Sequence, residues 1–121
     1  MPRVIHFEIT ADEPERSVGF YRSVFDWAVQ KWEGPVDYWL ATTGAEGELG
    51  IDGAIVQRMN GRGTINSIGV PSVDEYIRKV EAAGGRVAMP KQTVPGVGYV
   101  AYCTDTEGNL FGIFQDDPSA S

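Results

Sequence analysis

Two residues near the start of the chain have the types and the spacing for proton transfer. His6 and Glu8 sit two apart in Val4–Thr10 (VIHFEIT), a run of β-branched and aromatic residues that reads as a strand. Side chains alternate between the faces of a strand, so His6 and Glu8 project to the same face. An imidazole beside a carboxylate suits general acid–base work or a polar clamp on a ligand. The structural alternative is a histidine satisfied within its sheet, with Glu8 solvated or paired, and a lone strand histidine is more often of that kind. His6 is the only histidine and Cys103 the only cysteine. A thiol nucleophile would need His6 as its base. Cys103 lies in the apolar run Tyr99–Cys103 and reads instead as a small buried hydrophobe.

Aromatic residues are the second resource. Trp27, Trp32, Tyr38, Trp39, Tyr99 and Tyr102 all fall on expected strands. In a pocket they suit a planar or apolar ligand, and elsewhere they serve as core or subunit interface. Alternation sends Tyr38 and Trp39 to opposite faces, so at most one of the two lines a shared pocket. The candidate ligand-binding set is Trp32, Tyr38, Trp39, Tyr99 and Tyr102, of which a subset is expected to reach a ligand.

Other chemistries find little support. Ser17, Ser23, Ser67 and Ser72 lie outside any nucleophile-elbow context. Glu46, Glu48 and Asp52 lack EF-hand spacing and read as a solvated acidic loop. Val94–Gly98 (VPGVG) is a glycine-rich loop without the lysine and following helix of a phosphate loop. Lys91 before it reads as a surface lysine. The net charge of −7 argues against nucleic acid, which needs a clustered basic surface, and against an anionic membrane. No run approaches a transmembrane span and the first residues lack a signal-peptide core, so the expected location is cytoplasmic.

The elements that must carry these residues repeat. With 121 residues, 42% of them hydrophobic and 22% charged, the chain suits one soluble domain. After the first strand, Asp12-Glu13-Pro14-Glu15 signals a helix start, and Val18, Tyr21 and Phe25 mark one helical face. Trp27–Trp32, Tyr38–Thr42 and Ile51–Arg58 read as strands, the last interrupted by Gly53, which suggests a bulge or a close backbone approach. Met59–Gly63 is a polar linker, and the order then begins again. Thr64–Val70 is a strand, and Ser72 with Glu75 forms a capping box. Val73, Tyr76, Ile77 and Val80 stripe the second helix, which Gly84-Gly85 ends. Arg86–Met89, Gly98–Cys103 and Leu110–Gln115 are strands, and Asp116–Ser121 is a short polar tail. The expected fold class is α+β, one domain over 1–121 built from two tandem β-α-β-β-β modules, about 1–59 and 64–116.

Several motifs carry a family resemblance. Glu15-Arg16-Ser17, Phe20-Tyr21 and Val24-Phe25-Asp26-Trp27 resemble the first helix of the vicinal oxygen chelate superfamily, which includes glyoxalase I, extradiol dioxygenases and bleomycin-resistance proteins; Asp26 stands where glycine is usual. Val80–Gly85 is similar to that family's second helix ending, and Asp105–Phe111 (DTEGNLF) to its last turn and strand. The resemblance implies curved mixed sheets around a cup-shaped pocket, with Val94–Gly98 at its mouth. It also implies a small organic molecule as ligand and a homodimer.

In metal-dependent members, the first and last strand of each module supply His, Gln or Glu ligands to a divalent ion, as the resemblance has it. His6 stands at the first of these positions. The second falls near Gly53, with Asp52 beside it. The third falls at Ile65, next to Asn66 and Ser67, and the fourth at Gly112. Glycine and isoleucine side chains carry no donor, so no metal cofactor is expected, a retained divalent metal on His6 being the alternative. Three function classes follow: a metal-free small-molecule-binding protein, the favoured one; a lyase, isomerase or dioxygenase using His6, metal-bound or as acid/base with Glu8; and a non-catalytic partner-binding module.

Overall fold

The structure, a computed structural model, describes residues 2–59 and 63–121. The centre of the expected linker, residues 60–62, lies outside the described residues. The chain divides into two units, His6–Ile65 and Asn66–Ser121 together with Met1–Ile5.

The first unit holds β1 (Arg3–Ala11) from His6 onward, α1 (Pro14–Phe25), β2 (Ala28–Lys31), β3 (Tyr38–Thr42) and β4 (Gly53–Gln57). Its strands lie in the order β2-β3-β4-β1, with β1 and β4 parallel and the other neighbours antiparallel. Val18 of α1 is buried with Ala11, Val29, Ala41 and Ile55, and Ile9, Tyr21, Trp27 and Trp39 pack around them. The helix therefore covers the odd-numbered side of β1. His6, Glu8 and Thr10 are left on the opposite face.

The second unit repeats the plan with β5 (Thr64–Gly69) from Asn66 onward, α2 (Val73–Ala82), β6 (Arg86–Val94), β7 (Gly98–Thr104) and β8 (Leu110–Asp116). Its order is β5-β8-β7-β6, again with the first and last strands parallel. Val70, Val73, Ala101, Cys103 and Ile113 form its core, covered by Tyr76, Ile77 and Val80 of α2. Each unit thus carries the β-α-β-β-β order expected, in an α+β architecture with two helices.

Local details differ from the sequence expectations in instructive ways. Only half of the capping box closes: the Glu75 amide donates to Ser72 Oγ at 3.1 Å, while Glu75 turns to Lys79 at 3.4 Å. Gln115 Oε1 takes a further free amide of the α2 first turn, that of Val73, at 3.0 Å. Of the two readings of Gly53 the close backbone approach holds and the bulge does not: β4 pairs in unbroken register with β1 and β3, and a Cβ on Gly53 would stand 2.5 Å from the Phe7 carbonyl oxygen. β6 runs on past Met89 to Val94 with shifts in its register against β7. The Val94–Gly98 turn is tied down, because the Gly96 amide donates to the Ala120 carbonyl and the Asp117 amide to that of Val97. The tail, read from sequence as short and polar, is held here and buries Ala120. Among the described residues no helix is long and apolar enough to cross a membrane.

Asp26 explains the usual glycine at its position. It ends α1 in the left-handed region, at φ 59° and ψ 31°, where a Cβ is a burden. Asp26→Gly is expected to stabilise the protein by about 0.5–1 kcal/mol, read as a higher urea midpoint at unchanged slope. A lower midpoint would show that the Asp26 side chain contributes more than its backbone costs.

Candidate functional site

On the face of the first unit turned away from α1, β1 presents His6 and Glu8, and β3 presents Tyr38. The strand between them, β4, carries Ala54 in register with both Glu8 and Leu40. Its methyl group keeps that rung low and leaves room for the Tyr38 ring. Tyr38 Oη donates to Glu8 Oε2 at 2.9 Å and lies 2.7 Å from His6 Nε2. The imidazole and phenol planes are 8° apart with centroids 6.3 Å from each other. Trp32, just past the end of β2, meets Tyr38 edge to face at 6.0 Å and 72°. Its amide donates to the Tyr38 carbonyl at 2.7 Å, which fixes the two rings relative to each other. Gly34 is required beside it, since a Cβ there would stand 2.2 Å from the indole.

Electrostatics suit this cluster to neutral imidazole chemistry. Glu8 is 5% exposed, so its carboxylate relies on protein hydrogen bonds, that from Tyr38 among them, rather than on bulk water. Burial holds the His6 pKa below its ordinary value, and the Glu8 and Asp52 carboxylates offset part of that fall. A basic group with a lowered pKa binds its proton more readily in the unfolded chain. Its contribution to stability is therefore complete above the ordinary value of 6.5 and declines as pH falls from there towards the folded pKa. Asp52 Oδ1 is also engaged, accepting from the Thr43 amide at 2.9 Å and its hydroxyl at 3.3 Å.

Of the residues singled out from the sequence, His6, Glu8, Tyr38 and Trp32 come together. Trp39 is turned to the α1 side, among the residues packed on the first core, with Lys31 Nζ 5.3 Å from its ring centre. Tyr99 packs on the core that α2 covers, beneath Lys91 Nζ at 4.5 Å, and Lys91 also pairs with Asp74 at 3.0 Å. Tyr102 lies on the other face of β7, next to Gly112 and Ser67. Trp27 stacks on Tyr21 at 4.8 Å in the first core. Cys103 is buried, and burial raises its thiol pKa, which favours the unreactive protonated form. Sequence reasoning missed the hydroxyl of Tyr38 as the link between His6 and Glu8. The parity of Tyr38 offered a signal, but the cross-strand register that delivers it did not.

The residues present do not fit a divalent metal of the kind the resemblance implies. Gly53 pairs with Phe7 and so lies on the α1 side, away from His6, where a Cβ would sit 2.5 Å from the Phe7 carbonyl oxygen and 2.5 Å from its ring; Asp52 beside it has its Oδ1 engaged by Thr43. Gly112 faces Ser67, which offers a hydroxyl and no strong ligand. Among the described residues no group of three or more His, Cys, Asp or Glu side chains is placed to hold a metal ion.

Comparison with known proteins agrees with this architecture. A family model described as Glyoxalase/Bleomycin resistance protein/Dioxygenase superfamily matches residues 3–113. Searching the curated proteins gave no match. Among solved structures, a methylmalonyl-CoA epimerase variant from Streptomyces coelicolor in complex with 2-nitronate-propionyl-CoA superposes with a TM-score of 0.73 at 17% identity, covering 98% of this chain and 97% of that one. The Mycobacterium tuberculosis methylmalonyl-CoA epimerase gives 0.71 at 12% identity, with 95% and 88% covered. A hypothetical protein from Bacillus halodurans gives 0.70 at 18% identity, with 99% and 98% covered. At these identities the likeness is one of fold.

Proposed function

This chain belongs to the glyoxalase/bleomycin resistance protein/dioxygenase superfamily, and on that premise we propose that it is a small-molecule-binding protein working without a resident metal. The observation that carries the proposal is the cluster of Trp32, Tyr38, His6 and Glu8 on one sheet face, two flat rings beside a polar pair joined by one hydroxyl. Aromatic faces supply buried area for a planar or apolar body, and the polar pair orients it. Solved neighbours of this fold hold organic ligands, acyl-CoA compounds among them.

The same hydrogen bonds favour a second reading, proton transfer of the isomerase or lyase type. Burial lowers the His6 pKa and so favours the neutral imidazole, the form a base must have. Its imidazolium, once formed, faces the Glu8 carboxylate through Tyr38. A dioxygenase has less support, because that chemistry needs a redox metal that this donor set does not fit.

A thermal-shift screen of small organic molecules tests the first reading. A ligand at about a hundred times its Kd adds about 2.7 kcal/mol to the state it binds. The expected result is a stabilising ligand whose effect disappears in Trp32→Ala. Near-stoichiometric nickel, zinc, iron or manganese in protein purified without chelator, lost in His6→Ala, would overturn the metal-free assignment.

A further inference from the structure

The order of donors and acceptors in the cluster contains more than its proximity. Glu8, as a carboxylate, only accepts hydrogen bonds, so the single hydroxyl proton of Tyr38 points to Oε2. The Tyr38 oxygen then has only lone pairs to offer His6, and the 2.7 Å contact requires a proton on Nε2. A neutral imidazole protonated on Nε2 carries its lone pair on Nδ1. The two ring planes are nearly parallel, 8° apart, with centroids 6.3 Å from each other.

We propose that Tyr38 is a positioning residue that fixes His6 as the Nε2–H tautomer and so makes Nδ1 the proton acceptor of the site. This rests on the acid–base reading for its use. In that use a ligand C–H bond breaks, its electron pair stays on the ligand carbon, and the proton forms an N–H bond at Nδ1. The resulting imidazolium keeps its Nε2–H on Tyr38, whose hydroxyl remains donated to Glu8. The relay ends at Glu8 without protonating it, and the positive charge lies opposite a carboxylate one hydroxyl away. Trp32, pressed edge-on against Tyr38, holds the phenol where both hydrogen bonds can form.

The only histidine in the chain gives an unambiguous signal. Two-bond proton–nitrogen correlation spectra of ligand-free protein, recorded well above the His6 pKa, separate a protonated ring nitrogen from one bearing a lone pair. The wild type is expected to show a single tautomer with the proton on Nε2. Tyr38→Phe, which keeps the ring and removes the hydroxyl, is expected to lose that signature and give averaged nitrogen shifts. A purely structural Tyr38 would leave the tautomer unchanged in the variant, which would overturn the proposal. A wild type protonated on Nδ1, or one already averaged, would overturn it whether or not the variant folds. No ligand enters these spectra, so a failure here is distinct from a thermal-shift screen that finds nothing to bind.

Discussion

Gly53→Gln is expected to destabilise the protein by about 3 kcal/mol, the upper end of the cost of overpacking a well-ordered site. It puts a donor-bearing side chain where the resemblance places a ligand, yet on the α1 side of the sheet, because Gly53 pairs with Phe7 while His6 faces the other way. Phe7 and Gly53 are partners in the β1–β4 register. A Cβ on Gly53 would meet both the carbonyl oxygen and the ring of Phe7 at 2.5 Å. The oxygen is backbone and cannot turn aside, and the ring is braced by Trp27 at 5.9 Å. The melting temperature is expected to fall on the order of 10 °C. Gly112→Ala is the internal control. Its Cβ would meet the Ser67 hydroxyl oxygen at 2.9 Å, a side-chain atom that can rotate, and the expected cost is about 1 kcal/mol. A Gly53→Gln protein as stable as the parent would mean that the two strands do not approach this closely.

That contrast shows what kind of information the sequence carries. Elements with a local signature were legible. Asp26 in place of glycine and Gly84-Gly85 after α2 mark positions where backbone freedom decides the outcome, and Pro14 with acidic Glu15 marks the start of α1. The DTEGN turn is of the same kind. Asp105 accepts from the Glu107 and Asn109 amides at 2.8 and 2.9 Å, and these bonds lower its pKa. Facing was legible where two neighbours differ in parity, so Tyr38 and Trp39 separate as alternation requires. Which of the two would meet His6 depended on the pairing of β3 with β4 and of β4 with β1, two long-range registers that no short window of sequence encodes. The extent of β6 was hidden for a related reason. Pro90 reads as a strand end, yet the register shifts of β6 against β7 around it, and pairing with β7 resumes at Gln92. The anchoring of the polar tail was hidden because its partners are backbone groups of a distant turn, the Gly96 amide and the Val97 carbonyl, and polar composition says nothing about them.

Glu8→Gln separates a binding protein from one that also moves protons. The amide keeps the size of the carboxylate, and its carbonyl still accepts from Tyr38, so the fold and the aromatic contacts stay in place. What is lost is the charge that stabilises an imidazolium on His6. With a ligand identified by thermal shift, binding is expected to persist in Glu8→Gln within a few-fold. Exchange of ligand C–H for deuterium from solvent is expected to fall by about 100-fold or more, the scale of a disabled acid–base group. The pH profile supplies an independent sign. His6 accepts a proton only when neutral, and burial lowers its pKa below 6.5. The acid limb of the wild-type profile is therefore expected below that value, with activity lost as pH drops through it. Removing Glu8 removes a charge that raises the His6 pKa, so the limb in Glu8→Gln moves to still lower pH while the plateau falls. A plateau unchanged in Glu8→Gln would assign the cluster to binding alone. A limb that moves upward would mean that Glu8 acts on the ligand directly rather than through His6.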